Sequence, residues 1–376
     1  MTQAPARSLP FVDLSYVNAA VEQDVLDDVA ALIRSGAFTN GPHVARFEGA
    51  FAGFCGAREC VGVASGLDAL RLALLALGIG PGDEVIVPAQ TFIATFEAVS
   101  QAGATPVIAD IDEDDWNLAA DAAAAAVTPR TRCILPVHLF GQMADMRRLA
   151  ALADRNGLRM IEDACQAHGA SRDGLRPGAA ADAAAFSFYP TKNLGAFGDA
   201  GALVTADPAL AGTARGLRQH GERARGGSER IGYTARLDTL QAAVLLRKLP
   251  LLDEWNRMRR ETAALYAAAL ADVGDVRTLP VPAGSEPVWH LCPIRTARAE
   301  GLRAFLAERG IQTGRHYPQP PHLAPAYAAL GHRAGAFPVA ERLAAETVSL
   351  PVFPGMSEAQ AAWVADSVRE YFDRGR

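Results

Sequence analysis

Cysteine is scarce and unpaired in this chain: Cys55, Cys60, Cys133, Cys165 and Cys292 are scattered with no Cys-x-x-Cys spacing. An odd number spread over a long sequence supports neither a disulfide framework nor a zinc site, so no metal is expected, and it fits the cytoplasm. Positive charge is also in short supply. With 36 basic against 42 acidic residues the formal net charge is −6, which leaves no electrostatic footprint for a nucleic-acid partner. No run of about 18 apolar residues occurs, and Met1–Pro10 lacks the apolar core of a secretion signal. The sequence therefore predicts neither a membrane span nor export. No internal repeat is visible.

What is present is an ordinary globular composition in a long chain. At 376 residues, 50% hydrophobic and 21% charged, it can bury a large core, and chains above about 250 to 300 residues usually divide into domains. Through the first two thirds, short apolar runs alternate with helical stretches, the order of a parallel sheet covered by helices on both faces. Predicted strands are 60–64, 84–87, 105–109, 133–137, 158–161, 183–188 and 202–205. Between them, 67–77, 92–101 and 143–155 have helical spacing and stop at Gly78, Gly103 and Gly157, and 119–127 reads as an alanine-rich helix. Two amphipathic helices, 21–34 and 44–54, precede the first strand. A helical tract from Leu240 to about Leu270, broken at Pro250, leads into strands 288–296 and 348–352 and helices 302–309 and 357–372. The expected class is α/β: residues 1–250 form a large domain with N-terminal helices around a mostly parallel seven-stranded sheet, and 251–376 form a linker helix and small α+β domain.

The chemistry lies in four short segments. In Ala64-Ser65-Gly66-Leu67 a strand turns into a helix, where backbone N–H groups and the positive helix end make a phosphate cradle. Such a turn can also be a simple serine cap. In Pro88–Thr95, Phe92 stands at a strand-to-helix junction and can stack on an aromatic cofactor or fill the core. The run Glu162–Ala170 ends a strand with polar groups that a core rarely tolerates unpaired. There Asp163 can pair with a pyridine nitrogen and Gln166 with a phenolic oxygen; His168 is read as orienting the loop. Ser187 and Lys192 follow on the next strand and its loop, so both reach the sheet edge that carries Asp163. A lysine amine can hold an aldehyde cofactor as a Schiff base and then move protons, while a carboxylate keeps the ring nitrogen protonated. These residues predict a pyridoxal phosphate site with Lys192 and Asp163 as the catalytic pair and Ser187 on the phosphate.

The same residues resemble the DegT/DnrJ/StrS family of sugar aminotransferases. The likeness runs from Gly36–Pro42 to Ser349-Leu350-Pro351 and is carried by Glu162–Ala170, Ser187–Gly195 and Arg236–Ala243. It implies the aspartate aminotransferase fold (fold type I), pyridoxal 5'-phosphate, and a homodimer with active sites at the subunit interface. It also implies L-glutamate as amino donor and a nucleotide-linked keto sugar as acceptor. Residue by residue, it implies that Lys192 bears the cofactor, Asp163 faces the ring nitrogen and Gln166 its O3′. Ser187 and the Ser65-Gly66-Leu67 turn then hold the phosphate, and Phe92 stacks on the ring. Thr234 stands where the family usually has an Asn that reaches the neighbouring subunit's phosphate; its shorter hydroxyl can donate through water. Lys192–Gly201 and His316–Leu323 look most like the subgroup that aminates C3 of a dTDP-3-keto-6-deoxyhexose. Tyr317 and His322, with Tyr189 and His220, are then substrate candidates, and the arginine-rich loop Arg218–Arg230 approaches the pyrophosphate. A 4-keto sugar or cyclitol acceptor stays open. Lys192 argues against a related dehydratase that carries histidine in its place, and Lys192 with Asp163 against a non-catalytic regulator.

Overall fold

The computed structural model describes residues 8–224 and 226–374. Residues 1–7, on which part of the export expectation rests, and Arg225 of the arginine-rich loop lie outside the described residues. β-Branched and small apolar runs form a seven-stranded sheet from β1 (Glu59–Val63), β2 (Glu84–Pro88), β3 (Thr105–Ala109), β4 (Thr131–Ile134), β5 (Arg159–Asp163), β6 (Ala183–Ser187) and β7 (Gly201–Thr205). Their order is β1-β7-β6-β5-β4-β2-β3. Only β7 runs antiparallel to its neighbours, β1 and β6. The strand expected at 133–137 is regular through Ile134 and stays paired beyond it, with Leu135 N donating to Ile86 O and Val137 bridging Asp163 on either side of Pro136, which has no N–H to donate. Gly78, Gly103 and Gly157 take φ of 75°, 86° and 62° just past their helices, a conformation open to glycine without Cβ strain.

Alternation along the strands splits the core into two layers. Val61, Val63, Val85 and Val87 face the helix Gly66–Ala76 side, whereas Cys60, Ile86 and Phe186 face Phe47 and Phe51 of helix Pro42–Cys55. Phe51 meets Phe186 and Phe188 edge-on at 5.0 and 5.1 Å. Burial on both faces explains why these strands read as continuous apolar runs.

The helical tract is broken as expected: Thr239–Lys248 and Leu252–Ala269 flank a 3-10 turn at Leu249–Leu251. Beyond it, Arg277–Thr278, Cys292–Arg295 and Thr347–Leu350 form a three-stranded antiparallel sheet, backed by helices Ala299–Glu308 and Glu358–Arg374. The strand expected from 288 begins only at Cys292. A helix at Pro338–Glu346 was not anticipated. Leu9, fully buried, pairs in parallel with Ile311, which ties the N-terminal segment to the C-terminal part.

A buried amide relay ties the loop after β6 to the long helix. Asn193 Nδ2 donates to Asn256 Oδ1 and to Val288 O, both at 2.8 Å, and Asn256 Nδ2 donates to His168 O at 2.8 Å. Replacing Asn256 by Ala leaves buried partners unsatisfied, a cost of about 1–3 kcal/mol per group. The urea midpoint of Asn256→Ala should fall accordingly; an unchanged midpoint would show the relay to be idle.

Candidate active site

Four strand ends meet at one edge of the sheet. Asp163 closes β5, Ser187 closes β6, Ser65 follows β1, and Gly201 opens β7 opposite both Val63 and Ser187. The approach is tight enough to exclude side chains at two positions. A Cβ on Gly201 would lie 2.3 Å from the Ser65 backbone, and one on Gly66 would lie 2.6 Å from Cys165 Sγ and 2.7 Å from Ser187 Cβ. Ser65 does cap its helix, its Oγ accepting from Asp68 N at 3.1 Å. The amides of Gly66 and Leu67 fall in the first turn, where no intrahelical acceptor exists. Both residues line a cavity of about 450 Å³, so the positive end of the helix opens into it.

Of the residues named from sequence, this cavity gathers Ser65, Gly66, Leu67, Phe92, Asp163, Gln166, Ser187, Tyr189, Lys192 and Tyr317. Asp163 is buried and oriented from two sides: Thr95 Oγ1 donates to its Oδ2 at 2.8 Å and Cys165 N to its Oδ1 at 3.2 Å. Because the Thr95 proton points at the carboxylate, Thr91 Oγ1, 2.8 Å away, donates to Thr95. Gln166 Oε1 accepts from Phe140 N at 2.7 Å and its Nε2 donates to the Tyr317 hydroxyl at 3.0 Å, which leaves one amide proton for a ligand. Phe92 sits at the rim, half-exposed, with its ring 5.3 Å from that of Tyr317.

Burial pulls the Lys192 amine below the ordinary lysine value of 10.5, and Cys165 and Asp163 only partly draw it back. The loop holding it is fixed by Lys192 N to Tyr189 O at 2.8 Å and by Lys248 Nζ to Gly195 O at 2.9 Å. His316 is held at about 4, by burial and then by Lys192. His290 is pushed well below the usual histidine range by the same two causes, with Arg259 next. Both imidazoles line the cavity, as do Arg259 and Cys165. None of these, nor Thr95, was named as a candidate from sequence. Thr95 closes the Pro88–Thr95 segment and His316 opens the His316–Leu323 segment, both singled out as stretches, whereas Arg259 and His290 come from remote segments with no spacing signal.

Three candidates lie elsewhere. Thr234 pairs with Gln219 in a backbone bridge, and its hydroxyl is 3.3 Å from His220 Nε2; neither Thr234 nor His220 lines this chain's cavity. His322 is buried in the C-terminal part, its Nε2 3.0 Å from Glu341 and its ring 4.8 Å from that of Phe337. That partner set makes His322 a core histidine and takes it out of the substrate contacts. His168 is also buried outside the cavity, packed on Phe186 and Phe188, and burial lowers it to about 3. Among the described residues no helix is long and apolar enough to cross a membrane, and no group of three or more His, Cys, Asp or Glu could hold a metal ion.

An uncharged amine is the nucleophile toward an aldehyde, so the depressed Lys192 value has a kinetic signature. Condensation of the cofactor-free protein with an aromatic aldehyde, followed by absorbance, should accelerate with rising pH and level off below 10.5, the ordinary lysine value. A profile still rising through that value would show Lys192 to be an ordinary solvated lysine.

Residues 20–369 match the DegT/DnrJ/EryC1/StrS aminotransferase family. The chain is 48% identical to the dTDP-3-amino-3,4,6-trideoxy-alpha-D-glucose transaminase of Streptomyces venezuelae, over 99% of this chain and 98% of that protein. The crystal structure of S. venezuelae DesV in complex with a ketimine intermediate superposes with a TM-score of 0.96 at 48% identity, covering 98% of this chain and 99% of that one. NtdA from Bacillus subtilis, solved with bound cofactor PMP, gives 0.92 at 31% identity over 99% of this chain and 87% of its own. With the family match spanning most of its length, the chain belongs to the DegT/DnrJ/EryC1/StrS aminotransferases.

Proposed function

We propose that this aminotransferase uses pyridoxal phosphate to move the amino group of L-glutamate onto C3 of a dTDP-linked 3-keto-6-deoxyhexose, in the cytoplasm and as a homodimer. One observation carries the reading: the depressed Lys192 amine, the Asp163 carboxylate and an anion cradle that a single Cβ would fill share one cavity. The residues fit the cofactor at each end. The names of the relatives, which act on sugar nucleotides at a 3-amino position, support the acceptor.

When bound, pyridoxal phosphate supplies an electron sink for the carbon that bears the transferred nitrogen. The protein does the rest. Gly66 and Leu67 amides and the Ser187 hydroxyl hold the phosphate. Asp163, fixed by Thr95, would accept a hydrogen bond from the protonated ring nitrogen and keep it protonated, and Gln166 would turn its remaining amide proton to the phenolic oxygen. Phe92 covers a ring face. Lys192 Nζ, whose neutral form burial favours, takes the α proton of L-glutamate and delivers a proton on the opposite course to the sugar. Thr234 and His220, outside the cavity of their own chain, serve the partner's phosphate and substrate in the proposed dimer.

The purified protein should carry a visible absorption band that bleaches with L-glutamate and returns with the keto sugar. Lys192→Ala should cut turnover by roughly 100- to 10,000-fold, the contribution of a positioned proton-transfer group; turnover near the unaltered level would overturn the assignment. Asp163→Asn should keep the fold by circular dichroism yet slow the glutamate half-reaction, and a normal rate would remove Asp163 from the ring nitrogen. For Thr234→Asn, cofactor retention on dialysis should equal or exceed that of the unaltered protein. Weaker retention would mean that residue 234 does not face the phosphate.

A further inference from the structure

A buried polar pair lies behind the cavity, on the face of β5 opposite Asp163, and the cofactor contacts leave it unused. Met160 and Ala164 pack into the layer of Phe47 and Phe51, so Glu162, which alternates with Asp163 along the strand, points there too. Glu162 and His138 are both fully buried, with His138 Nε2 2.6 Å from Glu162 Oε2. Their other partners fix which of them donates. Ala144 N donates to His138 Nδ1 at 3.2 Å, so that nitrogen is an acceptor and the ring proton sits on Nε2, from which it is given to Glu162. Gly178 N donates to the second carboxylate oxygen, Oε1, at 2.9 Å.

What the pair braces is the segment that holds both polar contacts to the cofactor ring. Residues 136–138 engage both backbone groups of Asp163: His138 N donates to Asp163 O, and Asp163 N donates to Pro136 O, each at 2.9 Å. Further along the same turn, Phe140 N donates to Gln166 Oε1 at 2.7 Å. Phe140 has φ 63°, a conformation that a bulky residue adopts only where its surroundings impose it. The His138 ring spans this turn, from Ala144 at its far end to Glu162 on β5. A buried network with every partner satisfied adds little net stability but selects one geometry. We propose that His138 and Glu162 are positioning residues, a brace that sets Asp163 against the ring nitrogen and Gln166 against the phenolic oxygen together. Neither lines the cavity, so both act through other residues. The inference rests on the pyridoxal phosphate reading of the cavity.

The test uses the full-length protein. Glu162→Gln keeps the side-chain volume, but its amide NH2 must face either the His138 Nε2–H or the Gly178 N–H, donor against donor, because Nδ1 is committed to Ala144. Titration of the cofactor-free variant with pyridoxal phosphate should give a severalfold higher Kd, and the absorption maximum of the loaded variant should move. Its rate constant for discharge by L-glutamate should fall by roughly 10- to 100-fold, the scale of a small misplacement at a reacting centre, while the apparent Kd for L-glutamate stays the same. His138→Gln, whose Nε2 can still reach Glu162, should lose less than His138→Phe; equal losses would assign the effect to ring packing and overturn the brace. A lower urea midpoint with cofactor affinity, absorption maximum and discharge rate all unchanged would leave the pair a core contact and refute the inference. So would a loss confined to the L-glutamate Kd. In a protein already carrying Gln166→Ala, Glu162→Gln should cost less than it does alone, and full additivity would show that the pair acts elsewhere. Should Glu162→Gln not fold, His138→Gln is compared with the unaltered protein by the same measurements. If the unaltered protein gains no visible band with pyridoxal phosphate, the reading of the cavity itself fails instead.

Discussion

Keeping a lysine amine out of water favours its uncharged form, and the architecture around Lys192 is organised to hold it there. Burial favours the neutral form and would push the side chain toward solvent if the loop could move. It cannot move freely: Asn193 and Gly195, on the same loop, are tied to Asn256 and Lys248. The long helix therefore fixes a residue whose chemistry takes place at the sheet edge. The convergence of β1, β5, β6 and β7 at that edge supplies the other half, since Gly66 and Gly201 let the cradle, Asp163 and Ser187 approach without intervening side chains.

The readable parts of this molecule are the local ones. Strands at the sheet centre could be placed to within a few residues because burial on both faces demands unbroken apolar runs, and their helices end where glycine accepts positive φ. Lys192, Asp163 and the Ser65–Leu67 turn were visible because each ends a local element, and parallel strands bring such ends to one edge. What escaped depends on distant partners. Thr95 acquires its role only through Asp163, 68 positions away, and Leu9 only through Ile311. His322 was misplaced for a related reason. It follows Tyr317 in one proline-rich loop, but the loop turns, and Glu341 and Phe337 capture the ring while Tyr317 reaches Gln166.

The histidines of the site illustrate how burial decides their use. His316, at about 4, accepts or donates at Ser349 as a neutral ring and stacks on Phe11, 5.5 Å away. An imidazole already neutral at pH 7 adds no charge that would compete with Lys192 for anions, yet it keeps an N–H for a ligand. Acidification works against this arrangement. The unfolded chain takes up a proton at His316 near 6.5 while the native one resists until about 4. That difference in proton uptake lowers stability as pH falls through the interval.

The rim obeys a different constraint. Phe92 and Tyr189 are 50% and 52% exposed at the mouth of a cavity whose inner wall is buried. Large rings left half in water at such a mouth gain when something covers them, so they favour bulky ligands and opposing surfaces over small ones. The inner wall, by contrast, offers N–H groups, an amine and a guanidinium, which favour phosphate and carboxylate. Under the proposed function, a small dicarboxylic donor is therefore held chiefly by the wall and a sugar nucleotide chiefly by the rim. One cavity can thus serve both half-reactions while changes at its mouth alter the choice of acceptor and leave the donor chemistry intact.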